Sequence, residues 1–273
     1  MVSVSILIPT YQGARHIAAA IDSVLAQGID DLEIVVTDDN SSDGTAEIVA
    51  AYADPRIRLE RNPANLGAEG NWNRALSLAR GTYVKLLPQD DLLLPGSLAA
   101  QVAVLAADTA ERIALVFGAR EIVDTHGKVI TRRGLRGGRP GRIAAAALAT
   151  ACVRKGTNVI GEPGAVLFRR SLAERTGGFD GQQGYVIDLD YWLRLLAHGD
   201  AWYMERPVSV FRVSSGSWSV AIGTRQSRQF GDFLDRMAAA HLVRASAFDM
   251  ARGKAAAWAN NVARLLFYKV IVR

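Results

Sequence analysis

A single cysteine, Cys152, stands in this chain of 273 residues, so an intrachain disulfide is excluded and a reducing compartment fits. Histidine is nearly as scarce: His16, His126, His198 and His241 are scattered without the spacing of a zinc site. No Gly-x-Gly-x-x-Gly follows the first apolar run, and there is neither a Walker loop nor a Gly-x-Ser-x-Gly elbow. A dinucleotide fingerprint, P-loop chemistry and a hydrolase nucleophile are thereby set aside. The longest apolar stretch, Ile143 to Val153, is shorter than the roughly 18 residues of a membrane span. Met1 to Pro9 lacks a basic n-region and a cleavage site and reads as a first strand rather than a signal peptide. The expectation is a cytoplasmic protein, free or peripheral to the inner face of a membrane.

What is present is an ordinary globular composition, 49% hydrophobic and 22% charged, enough for one large domain or a domain with an appendage. The net charge of +5 is unevenly spread. Lys128 to Arg142 holds six bases (Lys128, Arg132, Arg133, Arg136, Arg139, Arg142) and no acid. Arg225 to Arg273 holds nine against Asp232, Asp235 and Asp249. These patches lack the interleaved aromatics of a stacking platform, which argues against nucleic acid. Phosphate-bearing ligands, an anionic membrane surface and plain solvated surface all remain open.

Strand and helix patterns alternate over the first 118 residues. Val4 to Ile8, Leu32 to Thr37, Ile57 to Arg61, Thr82 to Leu87 and Ile113 to Gly118 read as strands. Between them, 16–27, 45–52, 71–80 and 96–107 read as helices, the third stopped by Gly81. That order predicts a parallel sheet with right-handed crossovers. Further on, Thr125-His126-Gly127 predicts a hairpin, 143–151 a helix, 165–169 a strand, 188–198 a helix and 208–213 a strand. From about Arg225 the pattern is helical. The boundaries expected are an α/β domain over 1–219, with halves meeting near 118, and a helical extension over 220–273.

Two aspartate pairs close two of the strands: Asp38-Asp39 after Leu32 to Thr37, and Asp90-Asp91 after Tyr83 to Leu87. Carboxylates at the C-terminal ends of strands in an open α/β sheet project into the ligand crevice. Adjacent like charges repel, so such a pair is easiest to maintain with a cation or a donor-rich ligand between the oxygens. In the first pair, Ser42 or Asp43 serves to cap the next helix, leaving Asp38 and Asp39 without a capping job. A carboxylate there can accept the N3 hydrogen of a uracil-like base. The second pair lies too early to cap the helix entered through Pro95, and it suits a divalent cation with positions open for diphosphate oxygens. Asp188 and Asp190 open a third element. Either could merely favour the helix dipole, or Asp188 could act as a general base.

Taken together, these segments resemble family 2 of the inverting glycosyltransferases, with the GT-A nucleotide-sugar-binding fold. The matching stretches are Val4 to Tyr11, Val36 to Thr45, Asn65-Leu66-Gly67 and Gly81 to Asp91, then Arg169-Arg170, Gly177 to Asp180, and Asp188 with Trp192 and Arg194. The resemblance implies that Pro9, Thr10, Tyr11, Asp39, Asn65, Gly67 and Asp90 bind the nucleotide sugar. It implies that Asp91 ligates a divalent metal (Mg2+ or Mn2+), that Asp188 is the base, and that Gly164 to Arg169 with Gly178 to Asp180 floor the acceptor side. Two positions depart from the family pattern: Gln89 stands where the acidic motif often starts with Asp, and Ser214 where many members carry histidine.

The implied activity moves a sugar from a nucleotide-diphosphate donor, a UDP-sugar favoured, to a hydroxyl of a glycan or lipid-linked acceptor. A sugar-1-phosphate nucleotidyltransferase is the runner-up, but Pro9 to Arg15 offers only one glycine for its loop. A non-catalytic sugar-nucleotide binder would tolerate loss of Asp188. In the last helix, Trp258, Val262, Leu265 and Leu266 share a face that either packs on the core or lies on an anionic membrane.

Overall fold

The computed structural model describes residues 2–135, 137–213 and 226–271. Its first half alternates β1 (Val4–Thr10), α1 (Ile17–Leu25), β2 (Leu32–Asp38), α2 (Thr45–Ala50), β3 (Ile57–Arg61), α3 (Gly67–Ser77) and β4 (Tyr83–Leu86). These strands lie parallel in the order β3-β2-β1-β4, the arrangement that short strand–helix crossovers permit. Next come β5 (Leu92–Leu93), α4 (Ser97–Ala107), β6 (Ile113–Val123), β7 (Val129–Arg133), β8 (Gly141–Ile143), α5 (Ala145–Lys155) and β9 (Val166–Arg169). The described chain closes with α6 (Arg170–Thr176), α7 (Ile187–Leu196), β10 (Asp200–Arg212), α8 (Gln226–Ala239) and α9 (Ala247–Ile271).

Among the described residues all strands join one ten-stranded sheet, and its longer ladders are parallel. The exception that shapes the molecule is β9, which slots antiparallel between β4 and β6 and turns the second half into a mixed sheet. The sheet divides the core in two. Ile6, Ile8 and Val36 face α1 and α4, while Leu7, Val35 and Leu86 face the layer of α3, α5 and α7. Burial on both faces explains why β1 and β2 read as nearly continuous apolar runs.

Several boundaries differ from the sequence expectation, among them the end of β6, which runs past Gly118 to Val123. The helix expected over 71–80 runs over Gly67–Ser77, because Gly67, at φ +72°, turns the chain into it four residues earlier. Gly81 is therefore no helix cap. It lets the chain pass β1, where a Cβ would sit 2.6 Å from the Ser5 nitrogen. The strand expected from Val208 begins at Asp200 and passes Glu205-Arg206-Pro207 with register shifts against β6.

Both C-terminal helices pack on the sheet's second layer, where Phe230, Phe233, Leu234, Met237 and Ala257 join the core. The apolar stripe singled out in the sequence is not what packs. Trp258, Val262 and Leu266 face outward, Leu265 is half-buried, and α9 buries Gly253, Ala257 and Asn261 instead.

Candidate active site

Two cavities open along the C-terminal ends of the strands and share Trp72, Pro88 and Asp90. The first, about 300 Å3, is lined by all seven residues expected at the nucleotide sugar: Pro9, Thr10, Tyr11, Asp39, Asn65, Gly67 and Asp90. The second, about 230 Å3, is lined by Asp188 with Asn158, Glu162, Arg120 and Arg133. Asp90 thus stands between the place expected for a donor and the expected base.

In the first cavity, Asp39 is already engaged. Its carboxylate accepts from Asn62 Nδ2 and the Leu66 nitrogen, each at 2.8 Å, and from the Gly67 nitrogen at 3.0 Å. No capping job was expected of it; here it caps the entry to α3. Three donors use most of a carboxylate's roughly four acceptor positions and leave about one for a base. Asn65 Oδ1 also accepts from Gly67 nitrogen, at 3.0 Å. Asp38 faces away, buried against Arg61 Nε at 3.3 Å, and is structural.

Gln89 binds the β1 end from both sides of its amide. Its Oε1 accepts from the Thr10 hydroxyl and from the Tyr11 nitrogen at 2.8 Å, and its Nε2 donates to the Tyr11 carbonyl at 3.0 Å. An aspartate at this position could not make the donation. Tyr11, thereby fixed, stands half exposed at the cavity mouth.

The second aspartate pair follows β4. Asp90 reaches both cavities, whereas Asp91 is only 1% exposed and accepts from the Arg212 backbone nitrogen at 3.1 Å. Arg212 Nε donates to the Asp90 carbonyl at 3.3 Å and locks the turn to the end of β10. Burial raises the pKa of both carboxyls, and for Asp91 the neighbouring Asp90 charge adds to the rise. A divalent cation would reverse both pushes. Among the described residues no three His, Cys, Asp or Glu side chains gather as a metal cage. The donor set fits an ion held by one or two carboxylates and completed by phosphate oxygens, as Mg2+ commonly is. Ser214, the other departure, lies outside the described residues.

The two acids opening α7 have different surroundings. Asp190 is buried and spent on Arg194, 2.7 Å away. Asp188 faces the second cavity, accepts from Asn158 Nδ2 at 3.1 Å, and is pushed up to about 7 by burial and then by the Glu162 charge. Burial also pushes Glu162 up, but Arg120 at 2.5 Å, a backbone hydrogen bond and the Arg133 charge together hold it below the usual carboxyl range. The segment carrying Glu162 is tied to the sheet by Lys85, fully buried, which donates to the Gly164 and Val166 carbonyls at 2.8 and 3.0 Å. Burial brings that amine down to about 7. Outside the cavity lining, Asn73 grips both backbone groups of Phe179, and Phe179 stacks on Tyr191 at 4.0 Å. Sequence reasoning missed Asn158, Glu162, Arg120 and the clamp role of Gln89. Nothing in their local pattern distinguishes them from loop polarity.

Residues 5–177 match the model of Glycosyl transferase family 2. The chain belongs to that family. It is 36% identical over 225 residues to uncharacterized protein MT1568 of Mycobacterium tuberculosis, an alignment covering 77% of this chain and 66% of that one. It is 35% identical over 123 residues to the Escherichia coli enzyme WfgD, a UDP-Glc:alpha-D-GlcNAc-diphosphoundecaprenol beta-1,3-glucosyltransferase, covering 45% and 47%. The chain thus spans from about half to about two thirds of these relatives' own length. Among solved structures, the mannosyltransferase of Pyrobaculum calidifontis in complex with GDP-Man and Mn2+ superposes with a TM-score of 0.63 over 98% of this chain and 79% of that one, at 23% identity. That likeness confirms the GT-A fold.

Proposed function

We propose that this glycosyltransferase moves a sugar from a nucleotide-diphosphate donor to a hydroxyl of a glycan or lipid-linked acceptor, with inversion at the anomeric carbon. The observation that carries the reading is the placement of Asp188 in a cavity that adjoins the Asp39 cavity across Asp90. A donor seated against Thr10, Tyr11 and Asp39 would direct its sugar past Asp90 toward Asp188. The halves meeting near residue 118 would then divide donor from acceptor binding, with 220–273 as an extension.

Asp188 takes the acceptor proton as the hydroxyl oxygen attacks the anomeric carbon and the bond to the diphosphate breaks. A carboxyl near pH 7 is well matched to that work, being ionised in part and basic enough to accept. Asp91 with Asp90 would hold a divalent cation, Mg2+ or Mn2+, which supplies neutralisation of charge on the departing diphosphate. The Mn2+ bound by the mannosyltransferase supports that part. A UDP-sugar is favoured because the one acceptor position left on Asp39 suits a uracil N3–H, and WfgD uses a UDP donor. A cytoplasmic location fits the buried lone thiol of Cys152.

Turnover over a panel of UDP-, GDP- and dTDP-sugars tests the reading. Release of nucleotide from one donor, with a product of inverted anomeric configuration, is expected. Absence of both hydrolysis and transfer across the panel overturns it.

A further inference from the structure

Four large apolar side chains on one helix stand in solvent: Phe248 is 74% exposed, Trp258 65%, Val262 40% and Leu266 62%. With a period of 3.6 residues they fall on one face of α9, and exposed Ala251 and Ala255 fill the space between them. Such a contiguous patch marks an interaction surface, whereas single exposed apolar residues mark nothing. The opposite face is firmly seated. Asn260 Nδ2 donates to the Lys155 carbonyl at 2.7 Å, and Asp249 pairs with Arg154 on α5 at 2.6 Å.

The charge on this helix narrows the partner. Asp249 is its one acid and is already spent on Arg154, against Arg252, Lys254, Arg264 and Lys269 in the same helix. Arg252 and Lys254 are exposed, and the pairing of Lys254 with Asp235 is a surface ion pair of little strength. A second copy docking through the same patch would set these bases against themselves, since a two-fold interface opposes a surface to its own image. A negatively charged lipid surface answers both the apolar face and its flanking bases. No helix of the described residues is long and apolar enough to cross a bilayer, so the fitting geometry lies flat on one.

We propose that the Phe248–Leu266 face of α9 docks this protein on an anionic lipid bilayer. The docking stands apart from the reaction. Its consequence rests on the transferase reading: Arg264, on the inward side of these last turns, lines the Asp188 cavity. Arg133, from the acid-free run, lines it too. The bound bilayer would therefore lie beside the acceptor cavity, where a sugar carried on a lipid diphosphate can enter.

The test uses the full chain and vesicles of phosphatidylcholine alone or mixed with phosphatidylglycerol, at low and high salt. Co-sedimentation is expected with the anionic vesicles and is expected to weaken as salt rises. Trp258→Ser/Val262→Ser/Leu266→Ser alters only exposed side chains. Its vesicle partition coefficient should fall on the order of a hundredfold, while its melting temperature and donor hydrolysis stay as in the parent. No binding to anionic vesicles, or equal binding by the triple variant, overturns the proposal. So does a dimer, seen by light scattering, that the triple variant dissolves without any vesicle affinity. Loss of donor hydrolysis in the parent chain would defeat the transferase reading and leave vesicle docking untouched.

Discussion

Asn158 Nδ2 stands 3.1 Å from Asp188 Oδ2, and its amide cannot turn round. Oδ1 of the same side chain accepts from the Ile160 and Gly161 nitrogens at 3.0 and 2.9 Å, so a flip would press an NH2 group against two N–H donors. Trp192 Nε1 fixes the loop further by donating to the Gly161 carbonyl at 3.1 Å. The donor is thus aimed at Asp188 by three backbone contacts, and it favours the ionised carboxylate.

Removing that donor should disturb the base without touching the donor cavity. For Asn158→Ala we expect the acidic limb of the kcat/KM profile to move to higher pH and turnover at pH 7 to fall about tenfold. Nucleotide affinity should be unchanged. Asn158→Asp, which sets a second carboxylate beside the first, should be more damaging still. A pH–rate profile of Asn158→Ala that overlays the parent profile would remove Asn158 from this role.

Asp188→Asn separates chemistry from binding. Transfer should drop by about a thousandfold, with near-parent nucleotide affinity by calorimetry. Stability should move the other way. The folded-state pKa is raised, from an ordinary value of about 4 to about 7, so ionisation opposes folding. The parent therefore loses stability as pH climbs through that window and stays penalised above it. The Asn variant should melt higher than the parent at pH 8, with the gain vanishing near pH 4. If Asp190→Asn is the inactive variant and Asp188→Asn is active, the assignment of the two acids is reversed.

The parallel first half was legible because β1, β2 and β4 are buried on both faces and α1 carries a one-face stripe of Ile17, Ile21 and Val24. The antiparallel entry of β9 was not, since a short apolar run such as Val166–Arg169 carries no mark of its neighbours' direction. The seven residues expected at the nucleotide do line one cavity, yet the engagement of Asp39 by Leu66 and Gly67 depends on where α3 begins, which its sequence pattern placed four residues late. Spacing alone left Asp188 and Asp190 both able to serve the helix dipole, and only the resemblance favoured Asp188 as the base. In the structure Arg194 takes Asp190, while Asp188 faces the cavity beside Asn158. The face of Trp258 was recognised as apolar, but periodicity cannot say whether such a face turns inward or outward.

Asp91→Asn tests the cation. Two carboxyls that burial holds above their usual pKa form a poor anionic pair unless a cation joins them. Turnover should therefore require Mg2+ or Mn2+, cease in chelator, and fall by at least about a hundredfold in Asp91→Asn. The variant should stay folded, because an amide oxygen can still accept from the Arg212 nitrogen. Full activity in chelator, or in the folded variant, would dismiss Asp91 as a ligand.

Gln89 offers a test in which two explanations demand opposite results. As a weakened member of an acidic metal motif, its replacement by an acid should strengthen both metal and donor binding. As the clamp on Tyr11, the same change should weaken donor binding. Gln89→Glu keeps the length of the side chain and an acceptor for the Thr10 hydroxyl and the Tyr11 nitrogen. It replaces the donation to the Tyr11 carbonyl with one oxygen facing another. Loss of that hydrogen bond with the added repulsion should cost nucleotide affinity about tenfold. Calorimetric titration of UDP in the presence of Mn2+, alongside titration of Mn2+ alone, measures both quantities. Weaker UDP binding at unchanged Mn2+ affinity establishes the clamp; tighter binding of both would return Gln89 to the metal motif.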